Sequence, residues 1–280
     1  MHNLALHDPV RSQEREITLL FTDLRGFTEL AASLEMDPLV CELLAHVMDC
    51  LTDAVMDHHG LVVDYYGDGL VAMWNAPADQ PDHAELACRA ALEMLQNLPA
   101  VTDDWIGVIQ TDLRLGIGLH TGMAQVGNAG STRQIKYGPR GPNVHLASRV
   151  EAATKELGLP LIATQSTAQR LSSHFATDRV CRAELPGLRQ PVDLYAVSTS
   201  PRAAHVAAAW QVYDEALRQF ERGQVQVAQN TLTSIDAAVA QVPSRFLAEQ
   251  VERELGRQLS RRTTDRPTGR TAGVIALSAK

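Results

Sequence analysis

Along the first two hundred residues, apolar positions fall into short runs and helical stripes that alternate. Residues 16–22, EITLLFT, are apolar and β-branched, and predict a strand ending in a turn at Asp23-Leu24-Arg25-Gly26-Phe27-Thr28. Over residues 38–58, Leu39, Leu43, Leu44, Val47, Met48, Leu51 and Val55 recur at helical spacing, with Asp37 as a cap before Pro38 and Gly60 as a stop. Two strand-like runs, 61–66 and 70–74, then flank Gly67-Asp68-Gly69, where glycines permit the tight backbone of a hairpin. Residues 82–98 read as a helix, 113–120 and 123–127 as a strand pair turning at Thr121-Gly122 close to Gly116 and Gly118, and 143–157 as a helix. A strand at 160–163, a helix at 166–172 and strands near 179–184 and 192–197 follow. This alternation predicts an α+β sandwich, one sheet with helices on one face.

Beyond Pro201 the pattern changes. Residues 203–260 hold no strand pattern and repeat helical spacing (Trp210, Tyr213, Leu217, Phe220, then Val225, Ala228, Leu232, Ile235, then Phe246, Val251, Leu255), broken at Gly223 and Pro243, which predicts three short helices. The tail from Arg261 is polar and rich in breakers and is expected to be disordered. The chain thus divides into a lead segment 1–14, a main domain 15–200, a small all-helical extension 201–260 and a tail 261–280. The block AAWQVYDEALRQFERGQVQVAQNTLTSI resembles a tetratricopeptide-type helix pair, too short for a solenoid. It is expected either to cap the main domain, or a second copy of it, or to offer a docking surface to a protein partner.

Composition narrows the function. A formal charge of −8 argues against nucleic acid as a partner, which draws its affinity from basic surface. No run approaches the about 20 apolar residues of a membrane-spanning helix, and the opening residues lack an apolar signal core, so no membrane partner and a cytoplasmic location are expected. Cys41, Cys50, Cys88 and Cys181 have no metal-ligand spacing and read as structural thiols.

The chemistry centres on Asp23, closing the first strand, and Asp68, in the hairpin turn. Carboxylates on neighbouring strand ends can share two divalent cations, and hard oxygen ligands suit Mg²⁺ or Mn²⁺ carried in with a triphosphate. Such a site activates a hydroxyl with one cation and offsets phosphate charge with the other.

Four blocks, FTDLRGFT, YYGDGLVAMWNAP, GIGLHTGMAQVGN and VHLASRVEAATK, resemble in order and spacing the catalytic domain of class III adenylate and guanylate cyclases, over roughly residues 15–198. The resemblance implies a ferredoxin-like βαββαβ core and a head-to-tail homodimer. It also implies conversion of a nucleoside triphosphate to its 3′,5′-cyclic nucleotide and pyrophosphate, for cyclic-nucleotide signalling. By the same resemblance Asp23, Asp68 and the backbone of Leu24 hold two Mg²⁺ or Mn²⁺, Arg133 grips the terminal phosphates, and Arg149 stabilises charge on the α-phosphate in the transition state.

Three positions depart from the family pattern. Asp64 stands where adenylate cyclases carry a base-reading lysine, Gly138 where an aspartate or threonine completes adenine recognition, and His145 where an asparagine orients the ribose. Lys136 is the first lysine in the chain. Guanine N1–H and N2–H are donors that suit a carboxylate, so Asp64 is a candidate reader of GTP with Lys136 as a donor to O6, while ATP stays open. His145 either still bonds the ribose or marks a weakened site. The alternatives to a working enzyme are a nucleotide-binding regulatory module of the same fold and an interaction protein acting through its helical tail.

Overall fold

The computed structural model describes residues 12–33, 38–105, 113–131, 133–236, 239, 242–261 and 273–278. In chain order it contains β1 (Gln13–Arg25), α1 (Phe27–Ser33), α2 (Pro38–Asp57), β2 (Leu61–Tyr66), β3 (Gly69–Trp74), α3 (His83–Asp103), β4 (Arg114–Gly130), β5 (Ile135–Arg140), α4 (Pro142–Leu157), β6 (Leu161–Thr164), α5 (Gln165–Ala168), β7 (Phe175–Glu184), β8 (Val192–Thr199), α6 (Ala204–Glu221), α7 (Val225–Leu232), α8 (Ser244–Arg261) and β9 (Val274–Ala276). The strands form one mixed sheet in the order β2-β3-β1-β4-β6-β8-β7-β9, with β5 paired to β4 off this path. The Asp37 cap, most of the lead segment 1–14 and residues 262–272 of the tail lie outside the described residues.

β1 and β3 are apolar at consecutive positions, so both of their faces need cover. Leu20 and Leu24 of β1, with Leu70, Ala72 and Trp74 of β3, pack against α2 and α3. Ile17, Leu19 and Phe21, with Val71 and Met73, look the other way, toward Ala147 of α4. The same helix carries Val150, Ala153 and Leu157 into a core shared with β7, β8 and the C-terminal helices. Helices therefore lie on both sides of the sheet, not on one as the alternation suggested.

A second difference concerns residues 113–127. They form no hairpin at Thr121-Gly122; β4 runs unbroken and pairs with β1 from Arg114 to Val126. Gly116, Gly118 and Gly122 fall on the face under α4, because alternate residues of a strand share a face. A Cβ on Gly118 would sit 2.2 Å from the Glu151 nitrogen, and one on Gly122 2.7 Å from Asn143 Nδ2. These glycines thus let a helix lie on the strand. The chain reverses later, between Gly130 and Ile135, before β5.

Similar logic applies at Gly60. The residue that ends α2 in left-handed geometry is His59, at φ 58°, while a Cβ on Gly60 would stand 2.5 Å from the Trp74 ring. α1, which the sequence reading omitted, starts directly after Gly26.

The C-terminal helices share the core of the main domain. Trp210, Tyr213, Ala216 and Leu217 of α6 are buried with Val180 and Leu194 of the sheet. The Tyr213 hydroxyl donates to the Val180 carbonyl at 2.8 Å, and Arg179 of β7 bridges Asp193 and Glu221, each at 2.7 Å. The expectation of disorder from Arg261 onward fails at its far end. There β9 pairs in parallel with β7, Ile275 and Leu277 are buried, and Glu156 of α4 accepts bonds from the Ser278 nitrogen and hydroxyl. The alternation of buried Ile275 and Leu277 with exposed Ala276 outweighs the polar stretch before it. No described helix is long and apolar enough to cross a membrane.

Candidate active site

Asp23 lies in β1, two residues before its end, paired across to Gly116 of β4. On its other side β1 pairs antiparallel with β3, Phe21 opposite Val71. Extending that register by two residues sets Asp23 across from Gly69, next to Asp68. β2 and β3 join through a two-residue turn, Gly67-Asp68, in which Gly67 takes φ 59°. Thr22 fastens this turn to β1. Its hydroxyl accepts from the Leu70 nitrogen at 2.9 Å, and its carbonyl accepts from the Tyr66 hydroxyl at 2.7 Å. A side chain at Gly69 would collide with that carbonyl, 2.1 Å from its Cβ position.

The electrostatics follow from this proximity. Partial burial, then the negative charge of Asp23, pushes the Asp68 carboxyl above its usual range. Burial, followed by the charges of Glu151, Asp23 and Asp68, also raises the Tyr66 phenol. Two carboxylates crowded at neighbouring strand ends relieve their repulsion by sharing cations. Among the described residues no three histidine, cysteine or carboxylate side chains converge as a closed metal cage. Two carboxylates, with a backbone carbonyl between them and the core, fit Mg²⁺ or Mn²⁺, which keep water and substrate oxygens as their remaining ligands. The Leu24 side chain is buried in the core, so only its backbone can contribute.

A second group forms where β5 meets β2. A register shift between Val62 and Asp64 marks a bulge in β2. Beside it Asp64 makes an ion pair with Lys136 of β5, both about half exposed. A Cβ on Gly138 would lie 3.0 Å from Val63, so the bulge rests over that glycine. Asp64, Lys136 and Gly138, the three candidates for reading a base, thus come together.

The third group is α4. His145 and Arg149, four residues apart, share one of its faces. Glu151 stands two residues from Arg149, about 200° around the helix, so the two side chains leave in nearly opposite directions. Glu151 turns inward. It is 8% exposed, and its carboxylate lies 3.3 Å from Arg25 of β1. Burial and then the charge of Asp23 raise its carboxyl above the usual range, while Arg25 opposes them. Arg149 and His145 therefore point away from the carboxylates that Glu151 faces. Arg133 is exposed, just past the Gly130 turn, where its backbone nitrogen donates to the Ser131 hydroxyl at 3.2 Å.

Sequence reasoning passed over Arg25 and Glu151. A signal was present, since Ala147, Glu151 and Thr154 follow the i, i+4, i+7 spacing of a buried helix stripe, where a carboxylate needs a partner.

Two carboxylates at neighbouring strand ends and a helix with an outward arginine thus sit on a mixed sheet covered on both faces. The profile of the adenylate and guanylate cyclase catalytic domain matches residues 10–199, and the chain belongs to that family. It is 30% identical over 195 residues to adenylate cyclase 1 of Rhizobium meliloti, covering 70% of this chain and 29% of that protein. An adenylate cyclase of Anabaena cylindrica is 29% identical over 160 residues, 56% of this chain and 31% of the relative. The chain thus spans about three-tenths of these relatives' lengths. Among solved structures, the guanylyl cyclase Cya2 superposes with a TM-score of 0.60 at 29% identity, over 68% of this chain and 96% of that one. The adenylyl cyclase CyaB of P. aeruginosa shares the fold, with a TM-score of 0.64 at 24% identity over 69% and 98% of the two chains.

Proposed function

We propose that the protein is a nucleotidyl cyclase that converts ATP or GTP to the 3′,5′-cyclic nucleotide and pyrophosphate at the interface of a homodimer. The observation that carries this reading is the register that sets Asp23 beside the Asp68 turn, with the Asp68 carboxyl raised by burial and then by the charge of Asp23. In the reaction the ribose 3′-oxygen bonds to the α-phosphorus, the bond to the bridging oxygen of the β-phosphate breaks, pyrophosphate leaves, and the 3′-hydroxyl proton passes to solvent.

Asp23 and Asp68, with the backbone at Leu24, hold two Mg²⁺ or Mn²⁺. When bound, these cations acidify the 3′-hydroxyl and offset the charge of the phosphates. Arg149 faces away from its own chain's carboxylates, which suits service in the partner subunit's site. There its guanidinium meets charge as it develops on the α-phosphate and so raises rate more than affinity. His145, on the same helix face, offers a donor and an acceptor to the ribose, and Arg133 binds the terminal phosphates. Asp64 and Lys136 present an acceptor beside a donor to the base. The product serves as an intracellular signal.

The test is incubation of purified protein with ATP, GTP, CTP and UTP plus Mn²⁺, with products identified by mass spectrometry. One cyclic product, lost in Asp23→Ala and Asp68→Ala by a factor of about a hundred or more, is expected. Mixing inactive Asp23→Ala with inactive Arg149→Ala should restore activity, because a mixed dimer keeps one intact site. A second reading, a nucleotide-binding regulatory module, is favoured by the mutual neutralisation of Asp64 and Lys136. Metal-dependent nucleotide binding without product from any triphosphate would establish it instead.

A further inference from the structure

Arg25 creates a problem for a cation site. It lies two residues from Asp23 on the same strand, and residues i and i+2 share a face, so its guanidinium belongs to the side of the sheet that carries Asp23. That is the α4 side, where Phe21 packs toward Ala147. A free guanidinium there has a ready partner in either aspartate and would compete with divalent cations for them.

The structure holds it elsewhere. Arg25 Nη2 donates to Glu151 at 3.3 Å and to the Thr154 hydroxyl at 2.5 Å. Thr154 is itself oriented, because its hydroxyl donates to the Glu151 carbonyl at 2.6 Å and leaves its lone pairs to the arginine. The strand beneath is cut away to make room. A Cβ on Gly116 would stand 2.5 Å from Arg25 Nη2 and 2.6 Å from Thr154 Oγ1.

We infer that Glu151 and Thr154 are positioning residues that park Arg25 against α4, so that Asp23 and Asp68 stay open to cations. The inference rests on the proposed role of the two aspartates as metal ligands. Without Glu151 the guanidinium swings along the face of β1 to the remaining carboxylates and occupies their charge. Removing the arginine together with its anchor abolishes the competition.

Binding of Mn²⁺ alone to the full chain, followed by loss of the free-ion electron paramagnetic resonance signal, tests this without turnover. Glu151→Gln should weaken binding about tenfold or more, Thr154→Val less, and Arg25→Gln/Glu151→Gln should return it to the wild-type value. Circular dichroism and thermal unfolding check that each variant folds; should Glu151→Gln not fold, Thr154→Val and the double variant carry the test. If Glu151→Gln and Thr154→Val bind Mn²⁺ as the wild type does, or if the double variant stays weak, the inference is wrong. Wild-type binding that persists in Asp23→Asn/Asp68→Asn would instead overturn the two-carboxylate site itself, and this inference with it.

Discussion

At the scale of single residues, two buried positions make strong demands. Gly118 lies under the backbone of Glu151 with no room for a methyl group. Gly118→Ala should lift α4 and cost about 1–3 kcal/mol, measurable by chemical denaturation. His120, on the same face, has a defined tautomer. Asn143 Nδ2 donates to the Met123 carbonyl at 2.7 Å and so turns its oxygen to His120 Nε2, at 3.0 Å. Nε2 therefore carries the proton, and Nδ1 accepts from the Thr164 hydroxyl at 2.8 Å. Burial lowers the affinity of His120 for a second proton, and burial does the same at His83. For a histidine depressed in the folded state, stability is full above the unfolded value of 6.5 and falls as pH drops below it. Melting temperature should decline from about pH 7 to about pH 5, and less steeply in His120→Gln, where an amide still donates to Asn143. Asp23 and Asp68 stood out in the sequence through the blocks that resemble the cyclase family, since each alone reads as a strand-end cap or a turn former. Arg25 and Glu151 were not, since their meaning depends on two residues more than a hundred positions apart coming into contact.

At the scale of elements, the apolar runs gave most strands and helices nearly in place, whereas glycine misled. Gly116, Gly118 and Gly122 looked like turn formers, yet they lie inside one 17-residue strand. A glycine that frees the backbone and one that admits a neighbour look alike until the neighbour is known. β9 was missed for the opposite reason, because only three residues of strand follow a polar stretch. It joins the sheet edge at β7 and reaches α4 through Ser278 and Glu156. Removing residues 273–280 exposes the pockets of Ile275 and Leu277, a loss of about 3 kcal/mol and about 5 °C in melting temperature by differential scanning calorimetry.

At the scale of the whole molecule, the boundary drawn at residue 200 follows a change in pattern, but packing crosses it. Val180 and Leu194 of the sheet share a core with Trp210, Tyr213 and Leu247 of the following helices. The pattern change was legible, while the shared core was not, because helical spacing says which face is apolar and not what covers it. The full chain should unfold in one calorimetric transition, and a fragment ending at residue 200 should aggregate or melt far lower, since it bares that apolar surface.

The row of bare positions along β4 carries one more consequence. Where a helix rests on side chains, its height can drift as rotamers change or a methyl group is gained or lost. At Gly118, α4 rests on peptide, whose height no rotamer changes, alongside the side-chain contacts of Ala147. Residues on its outward face, His145 among them, can change in chemistry without altering how closely the helix lies on the strand.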